Sequence, residues 1–192
     1  YPVFIKPANG GSSVGISKVK KVEDFAAALI EAFKYDDKVM IEAGLDRPRE
    51  IEVALLGQGQ QAEAMGCGEI VPNKEFYDYQ AKYVDGKEEL LVPAPLKPDV
   101  AKRLEQYAKQ IYIALGCQGL ARADFLIDKK TEAIYFSELN PLPGFTSISL
   151  FPKLCGMCGL SGAQWIDKLL TFALKRFDRQ QEKRIANYDY AN

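Results

Sequence analysis

Residues Glu138 to Thr146 read E-L-N-P-L-P-G-F-T, and Ala121 to Asp124, the latter fourteen residues before Glu138, read A-R-A-D. Around them, Leu120 to Ile127 and Glu132 to Asn140 are two apolar-rich runs joined by the polar Asp128-Lys129-Lys130-Thr131. That pattern predicts a β-hairpin with a loop of about four or five residues. In such a hairpin Asp124 and Glu138 lie nearly opposite each other, about 5 Å apart at the backbone. Side chains alternate along a strand, so Arg122 shares a face with Asp124, and Asn140 with Glu138. Two carboxylates this close repel by about 3 kcal/mol at an effective dielectric of ~20, a large share of a domain's net stability. A bound cation removes that cost. Oxygen donors from Asp, Glu and Asn suit hard Mg²⁺ better than zinc, and Arg122 beside them offers an anion site. The competing reading is a surface hairpin whose acids pair with Arg122 and nearby lysines.

The chain opens with Tyr1-Pro-Val-Phe-Ile-Lys6, a short apolar strand ending in a lysine, followed by the glycine- and serine-rich Pro7 to Gly15. Small residues let backbone N–H groups approach phosphate oxygens, with Lys6 as a point charge, although the loop lacks the spacing of a P-loop. Helical periodicity at Val22, Phe25, Ala26, Leu29, Ile30 and Phe33 predicts an amphipathic helix over 22–35 with that stripe in the core. Lys38 to Ala43 and Glu50 to Leu56 read as strands. Pro98 opens a second helix with Val100, Leu104, Tyr107, Ala108, Ile111 and Leu115 on its apolar face and Gly116 as its cap. A third helix starts near Ser161, with Trp165, Ile166, Leu169, Leu170 and Ala173 expected inside.

The chain has 192 residues, 47% of them hydrophobic, enough for one substantial core or two lobes. Its net charge of −1 and lack of a basic stripe argue against a nucleic-acid partner. No apolar run approaches the roughly 20 residues that span a membrane. Cys155-Gly-Met-Cys158 is a lone C-x-x-C, and the chain contains 0 His, so neither a zinc site nor imidazole catalysis is expected. The thiols read as small core residues of a cytosolic protein.

Seven blocks occur in an order that resembles the D-alanine–D-alanine ligases of the ATP-grasp superfamily. They are K-P-A-N-G-G-S-S-V-G from Lys6, R-E-I-E-V from Arg49, G-E-I-V from Gly68, F-Y-D-Y-Q-A-K-Y from Phe76, P-A-P-L from Pro93, A-R-A-D-F from Ala121, and E-L-N-P-L-P-G-F-T-S-I-S-L-F-P from Glu138. The resemblance covers Tyr1 to about Phe177. It implies an α/β ATP-grasp fold, with antiparallel or mixed sheets packed with helices. On that scheme 1–43 belong to the central subdomain, 44–177 form the C-terminal subdomain, and 178–192 are a polar tail.

The resemblance also implies roles. Lys6 and Lys82 match lysines that hold ATP phosphates, and Ser13 belongs to the phosphate loop. Glu42, Ala43 and Leu45 match the segment gripping the adenine, Glu50 the ribose-binding acid, and Phe76 and Leu126 apolar residues packing on the nucleotide. Asp124, Glu138 and Asn140 match the ligands of two Mg²⁺ ions, with Mn²⁺ as an alternative metal. Arg122 and the Gly144 N–H match the oxyanion site, and Ser149 the serine that binds the acceptor's carboxylate. Ser12 and Tyr83 match two members of a hydrogen-bonded triad whose glutamate lies in the family's N-terminal domain.

The reading therefore expects a C-terminal fragment without that domain and inactive alone, from a cytoplasmic, homodimeric parent that joins two D-alanines for peptidoglycan precursors through an acyl phosphate. Another ATP-grasp carboxylate–amine ligase, and a nucleotide-binding module without turnover, stay open as alternatives.

Overall fold

The computed structural model describes residues 1–72 and 89–189, with side chains described through residue 184. The described strands are β1 (Val3–Pro7), β2 (Ser17–Val19), β3 (Val39–Ala43), β4 (Arg49–Gln58), β5 (Glu63–Val71), β6 (Glu89–Leu91), β7 (Gln118–Ile127) and β8 (Ile134–Asn140). The helices are α1 (Phe25–Ala32), α2 (Pro98–Ala114), α3 (Leu150–Met157) and α4 (Gly162–Asp189). The described residues form two compact units, one built mainly from Tyr1–Arg49 with Ile127–Ala133, the other from Glu50–Ile70, Leu90–Leu126 and Ile134 onward.

The first unit is a three-stranded antiparallel sheet in the order β2-β1-β3, covered by α1. Ile5, Val19, Ala28 and Ala32 form its core, with Val3, Phe25, Leu29 and Val39 packed around them. The 22–35 segment is broken into a 3-10 turn at Val22–Asp24 and the shorter α1. Its inner face is set by the small Ala28 and Ala32, which let the helix lie close to the sheet, whereas Val22, Ile30 and Phe33 of the expected stripe are exposed.

The second unit is a five-stranded sheet in the order β6-β5-β4-β7-β8. Its central strand β4 is buried from Ile51 through Gly57. β4 and β5 run antiparallel, with a register slip between Val53 and Leu55. α2 starts with Pro98 in its first turn, where the missing N–H costs nothing. It ends in a Schellman motif: Cys117 N–H donates to the Tyr112 carbonyl at 3.0 Å, and Gly116 N–H to that of Ile113 at 3.0 Å. Gly116, at φ +66°, makes this left-handed turn without Cβ strain. The buried face is Leu104, Ala108 and Tyr112, one turn apart, while Tyr107 and Leu115 are exposed. Tyr112 buries its hydroxyl by donating to the Gly57 carbonyl at 2.9 Å.

α3 has no counterpart in the predicted elements. Pro152 falls in its first turn, so it leaves the helix intact. Leu150, Phe151, Leu154 and Cys155 bury against Ala54, Leu56, Met65 and Trp165, each large side chain contributing about 1.5–3 kcal/mol. α4 opens with a capping box: Gln164 N–H donates to Ser161 Oγ at 3.3 Å, and Ser161 N–H to Gln164 Oε1 at 2.8 Å. Its inner side is Trp165, Leu169 and Phe172, while Ile166 and Leu170 face solvent. Among the described residues no helix is long and apolar enough to cross a membrane.

Candidate functional site

In the second unit, β7 alternates cleanly. Ala121, Ala123, Phe125 and Ile127 are buried, and Arg122, Asp124 and Leu126 fall on the other, half-buried face. The hairpin to β8 closes when Asp128 N–H donates to the Ala133 carbonyl at 3.0 Å, while the Asp128 carboxylate accepts from the N–H groups of Lys130 and Thr131 at 2.7 and 3.1 Å. This local fastening brings Arg122, Asp124, Glu138 and Asn140 together. Asn140 Nδ2 donates to Asp124 Oδ2 at 3.0 Å and to Glu138 Oε1 at 3.2 Å. One polar nitrogen bridging two carboxylates marks the point where their lone pairs converge, which is where a cation is wanted. With its amide turned over, Asn140 would add a third oxygen, and the set fits a hard ion that keeps several waters or phosphate oxygens. Among the described residues no group of three His, Cys, Asp or Glu side chains could hold a metal.

Arg122 grips Asp124 with both prongs, Nε to Oδ1 at 2.7 Å and a terminal nitrogen to Oδ2 at 2.7 Å. Glu52 Oε2 lies 3.2 Å from the same Nε. Burial disfavours the guanidinium's charge, but the hydrogen bonds and charge of Asp124, with Glu52 and Glu138, outweigh it and hold its pKa well above the ordinary value. By the sign of that shift, Arg122's contribution to stability is complete below its ordinary pKa and is retained across the whole working pH range. Glu52, 6% exposed on the central strand, is a site residue that the sequence pattern does not mark out. Its one signal is a lone carboxylate interrupting I-E-V-A-L-L.

The loop after β8 carries Gly144 to Ser149. Ser149 N–H donates to the Thr146 carbonyl at 3.0 Å, and the two hydroxyls are 2.8 Å apart. The Ser149 hydroxyl therefore does not cap α3, although the residue is the N-cap. It stands at the positive end of the helix, a place that favours a carboxylate. Phe145 anchors this loop, its ring 5.0 Å from that of Trp165 and 6.3 Å from that of Phe151. Trp165 and Phe151 are thus supporting residues of the site. A Cβ on Gly144 would sit 2.5 Å from Ser149 Oγ. Gly144→Ala is therefore expected to push the Ser149 hydroxyl away from that of Thr146. Glu50 lies opposite Ile70 at the half-buried start of β4.

In the first unit, Lys6 and Glu42 form an ion pair at 2.7 Å. The register explains it: Phe4 faces Glu42 and Lys6 faces Met40, so the two charges are diagonal neighbours on one face. Ala43 ends β3 and is exposed, and Leu45 follows in the half-buried loop. Ser12 and Ser13 occupy the two central positions of a tight turn, at φ 54° and 60°, which Val14 N–H closes on the Gly11 carbonyl at 3.1 Å. Asp36 fastens the base of this loop, accepting from Asn9 N–H at 2.6 Å and Asn9 Nδ2 at 2.8 Å. The backbone N–H groups of Lys38 and Asn9 hold its carboxyl below the usual range. Phe76, Lys82 and Tyr83 lie outside the described residues.

Residues 1–171 match the family described as D-ala D-ala ligase C-terminus. The D-alanine–D-alanine ligase of Caldicellulosiruptor bescii is 48% identical over 185 residues, which are 96% of this chain and 50% of that protein. That of Chloroherpeton thalassium is 44% identical over the same shares. Among solved structures, the D-alanine–D-alanine ligase of Coxiella burnetii superposes with a TM-score of 0.82 at 34% identity, over 97% of this chain and 49% of that one. The VanG D-Ala:D-Ser ligase of Enterococcus faecalis gives 0.78 at 36% identity, over 90% of this chain and 49% of that one. The chain spans about half the length of the relatives it matches. Its mixed α/β architecture with antiparallel sheets is the ATP-grasp fold of these neighbours. By sequence and by fold, the chain belongs to the D-alanine–D-alanine ligase family, and it matches the C-terminal part.

Proposed function

We propose that this chain is the part of an ATP-dependent D-alanine–D-alanine ligase that handles nucleotide, divalent metal and the acyl-phosphate step. The observation that carries the reading is the convergence of Asp124, Glu138 and Asn140 beside Arg122 on β7 and β8.

In this reading Asp124, Glu138 and Asn140 hold Mg²⁺ or Mn²⁺, which supplies neutralisation of the charge on the transferring phosphoryl group. Lys6 and Lys82 bind phosphate oxygens, and Ser13 donates to them from the loop. Glu42, Ala43, Leu45, Phe76 and Leu126 enclose the base, and Glu50 accepts from the ribose. The carboxylate of a first D-alanine attacks the γ-phosphorus of ATP and ADP leaves, giving an acyl phosphate. The amine of a second D-alanine then attacks the acyl carbon. Arg122 and the Gly144 N–H stabilise the oxyanion of that tetrahedral intermediate, and inorganic phosphate is expelled. Ser149 holds the second D-alanine's carboxylate, and Ser12 and Tyr83 orient the acceptor. The product is D-alanyl-D-alanine, made for the cell wall by a homodimeric, cytoplasmic parent enzyme.

One observation favours a second reading. Both oxygens of Asp124 already accept from Arg122, as in a structural ion pair. Glu138→Gln separates the two. The variant keeps the shape of the site and removes one ligand charge, so Mg²⁺-dependent ATP binding by calorimetry should weaken at least about tenfold. Its melting point in EDTA should equal or exceed the parent's, because carboxylate repulsion is relieved. Unchanged Mg²⁺-dependent binding together with an earlier melt in EDTA would establish the ion-pair reading instead.

A further inference from the structure

We infer that Glu52 is a positioning residue for Arg122, the carboxylate that keeps the guanidinium in place when Asp124 turns its oxygens to a cation. The inference rests on the proposed function. Arg122 has one Nε–H, and two carboxylates meet there: Asp124 Oδ1 at 2.7 Å and Glu52 Oε2 at 3.2 Å. Asp124 also accepts from Asn140, the group that bridges it to Glu138. The carboxylate best placed for Arg122 is therefore the one a cation would claim. Oxygens committed to an ion give weaker, less well-directed acceptance to the guanidinium, and a long side chain that loses its fork partner gains rotamer freedom.

Glu52 answers that loss. It sits on β4, next to β7 in the sheet, within the buried run from Ile51 to Gly57. Its side chain is 8% exposed, against 21% for that of Arg122. Opposite it in the register is Gly68, where a Cβ would meet a Leu150 methyl carbon at 2.7 Å, so the neighbouring strand is packed against α3. A buried carboxylate on a different strand from Asp124 does not follow Asp124 when Asp124 moves. Burying a charge on a central strand costs stability unless it is matched, and an apolar residue would pack there at no such cost. The arrangement leaves Arg122 with one anchor that the cation takes and one that it does not.

The discriminating readout is exchange of the Arg122 Nε–H, followed by nitrogen-15 NMR on the full 192-residue chain with and without saturating Mg²⁺ and ADP. In the parent chain the Nε–H is expected to stay protected in both states. In Glu52→Gln it should stay protected without Mg²⁺ and ADP and exchange roughly tenfold faster with them, while Glu52→Asp restores part of the protection. A residue that merely balances charge would change exchange equally in both states, and that result overturns the inference. So does loss of protection in the parent chain on adding Mg²⁺ and ADP, a measurement that needs no variant to fold. The backbone amide signals of Asp124, Glu138 and Asn140 serve as the separate control. If they do not respond to Mg²⁺ and ADP, the cation site itself is wrong; if they respond while Glu52→Gln behaves as the parent, only the role of Glu52 fails.

Discussion

Arg122→Met is expected to destabilise the chain by about 3–5 kcal/mol at neutral pH, the range seen when one member of a buried ion pair is removed. The reason is the company Arg122 keeps. Its guanidinium lies between Asp124, at 2.7 Å, and the almost wholly buried Glu52, at 3.2 Å. Methionine fills much of the same volume, so the loss is mainly of charge compensation rather than of packing. The double variant Arg122→Met, Glu52→Met should recover most of the loss, since a buried pair replaced by apolar side chains is often neutral or better. Urea unfolding of the four members of the cycle at pH 7 measures this. A single variant within about 1 kcal/mol of the parent, or a double variant no better than the single one, would show that the pair is not a structural element of the sheet.

The readable part of this site is local in sequence. The β7–β8 hairpin joins residues close along the chain, its period-two alternation fixes which side chains share a face, and Asp128 fastens the turn through its own neighbours. That alternation is enough to place Arg122, Asp124, Glu138 and Asn140 together. It says nothing of Glu52, which comes from a strand about 70 residues away along the chain, and one acid in an apolar run does not reveal which strand lies beside it. The Lys6–Glu42 pair is unreadable for the same reason, since it depends on the β1–β3 register. The first and last helices depart from their predicted faces for a different reason. Their apolar residues surround too much of the helix for periodicity to choose a face, and packing selects the small Ala28 and Ala32 in one case and Trp165, Leu169 and Phe172 in the other. α3 stays hidden because Pro152 reads as a breaker, when in a first turn it is permitted.

Alkaline unfolding should set in near pH 9 and grow steeply toward pH 12 under reducing conditions. Burial pushes the Cys67 thiol up to about 12, with Glu105's charge adding to it. It pushes Cys155 up to about 12, with a smaller effect of Cys158, and Tyr112 up to about 12, with Cys117 adding. For an acid whose pKa is raised by folding, the native state keeps a proton that the unfolded chain has released. Stability is then complete below the unfolded pKa, ~8.5 for cysteine and ~10 for tyrosine, and is lost as pH rises toward the folded value. Each group costs up to about 1.4 kcal/mol per pH unit in that window, so the two thiols alone remove up to roughly 7 kcal/mol by pH 11. That is comparable with the whole stability of a typical domain. Cys155 lies in α3, the helix that Ser149 begins, and Cys67 pairs with Val53 one residue along β4 from Glu52. Opening at either thiol therefore takes part of the site with it. Cys67→Ala and Cys155→Ala should be less stable than the parent at pH 7, because each deletes buried volume, and should lose less stability than the parent between pH 9 and pH 11. The comparison cancels the exposed lysines and tyrosines that titrate in the same range, since these are common to all the chains. Parallel pH profiles for parent and variants would show that the thiols do not drive the transition, and crossing profiles would show that they do.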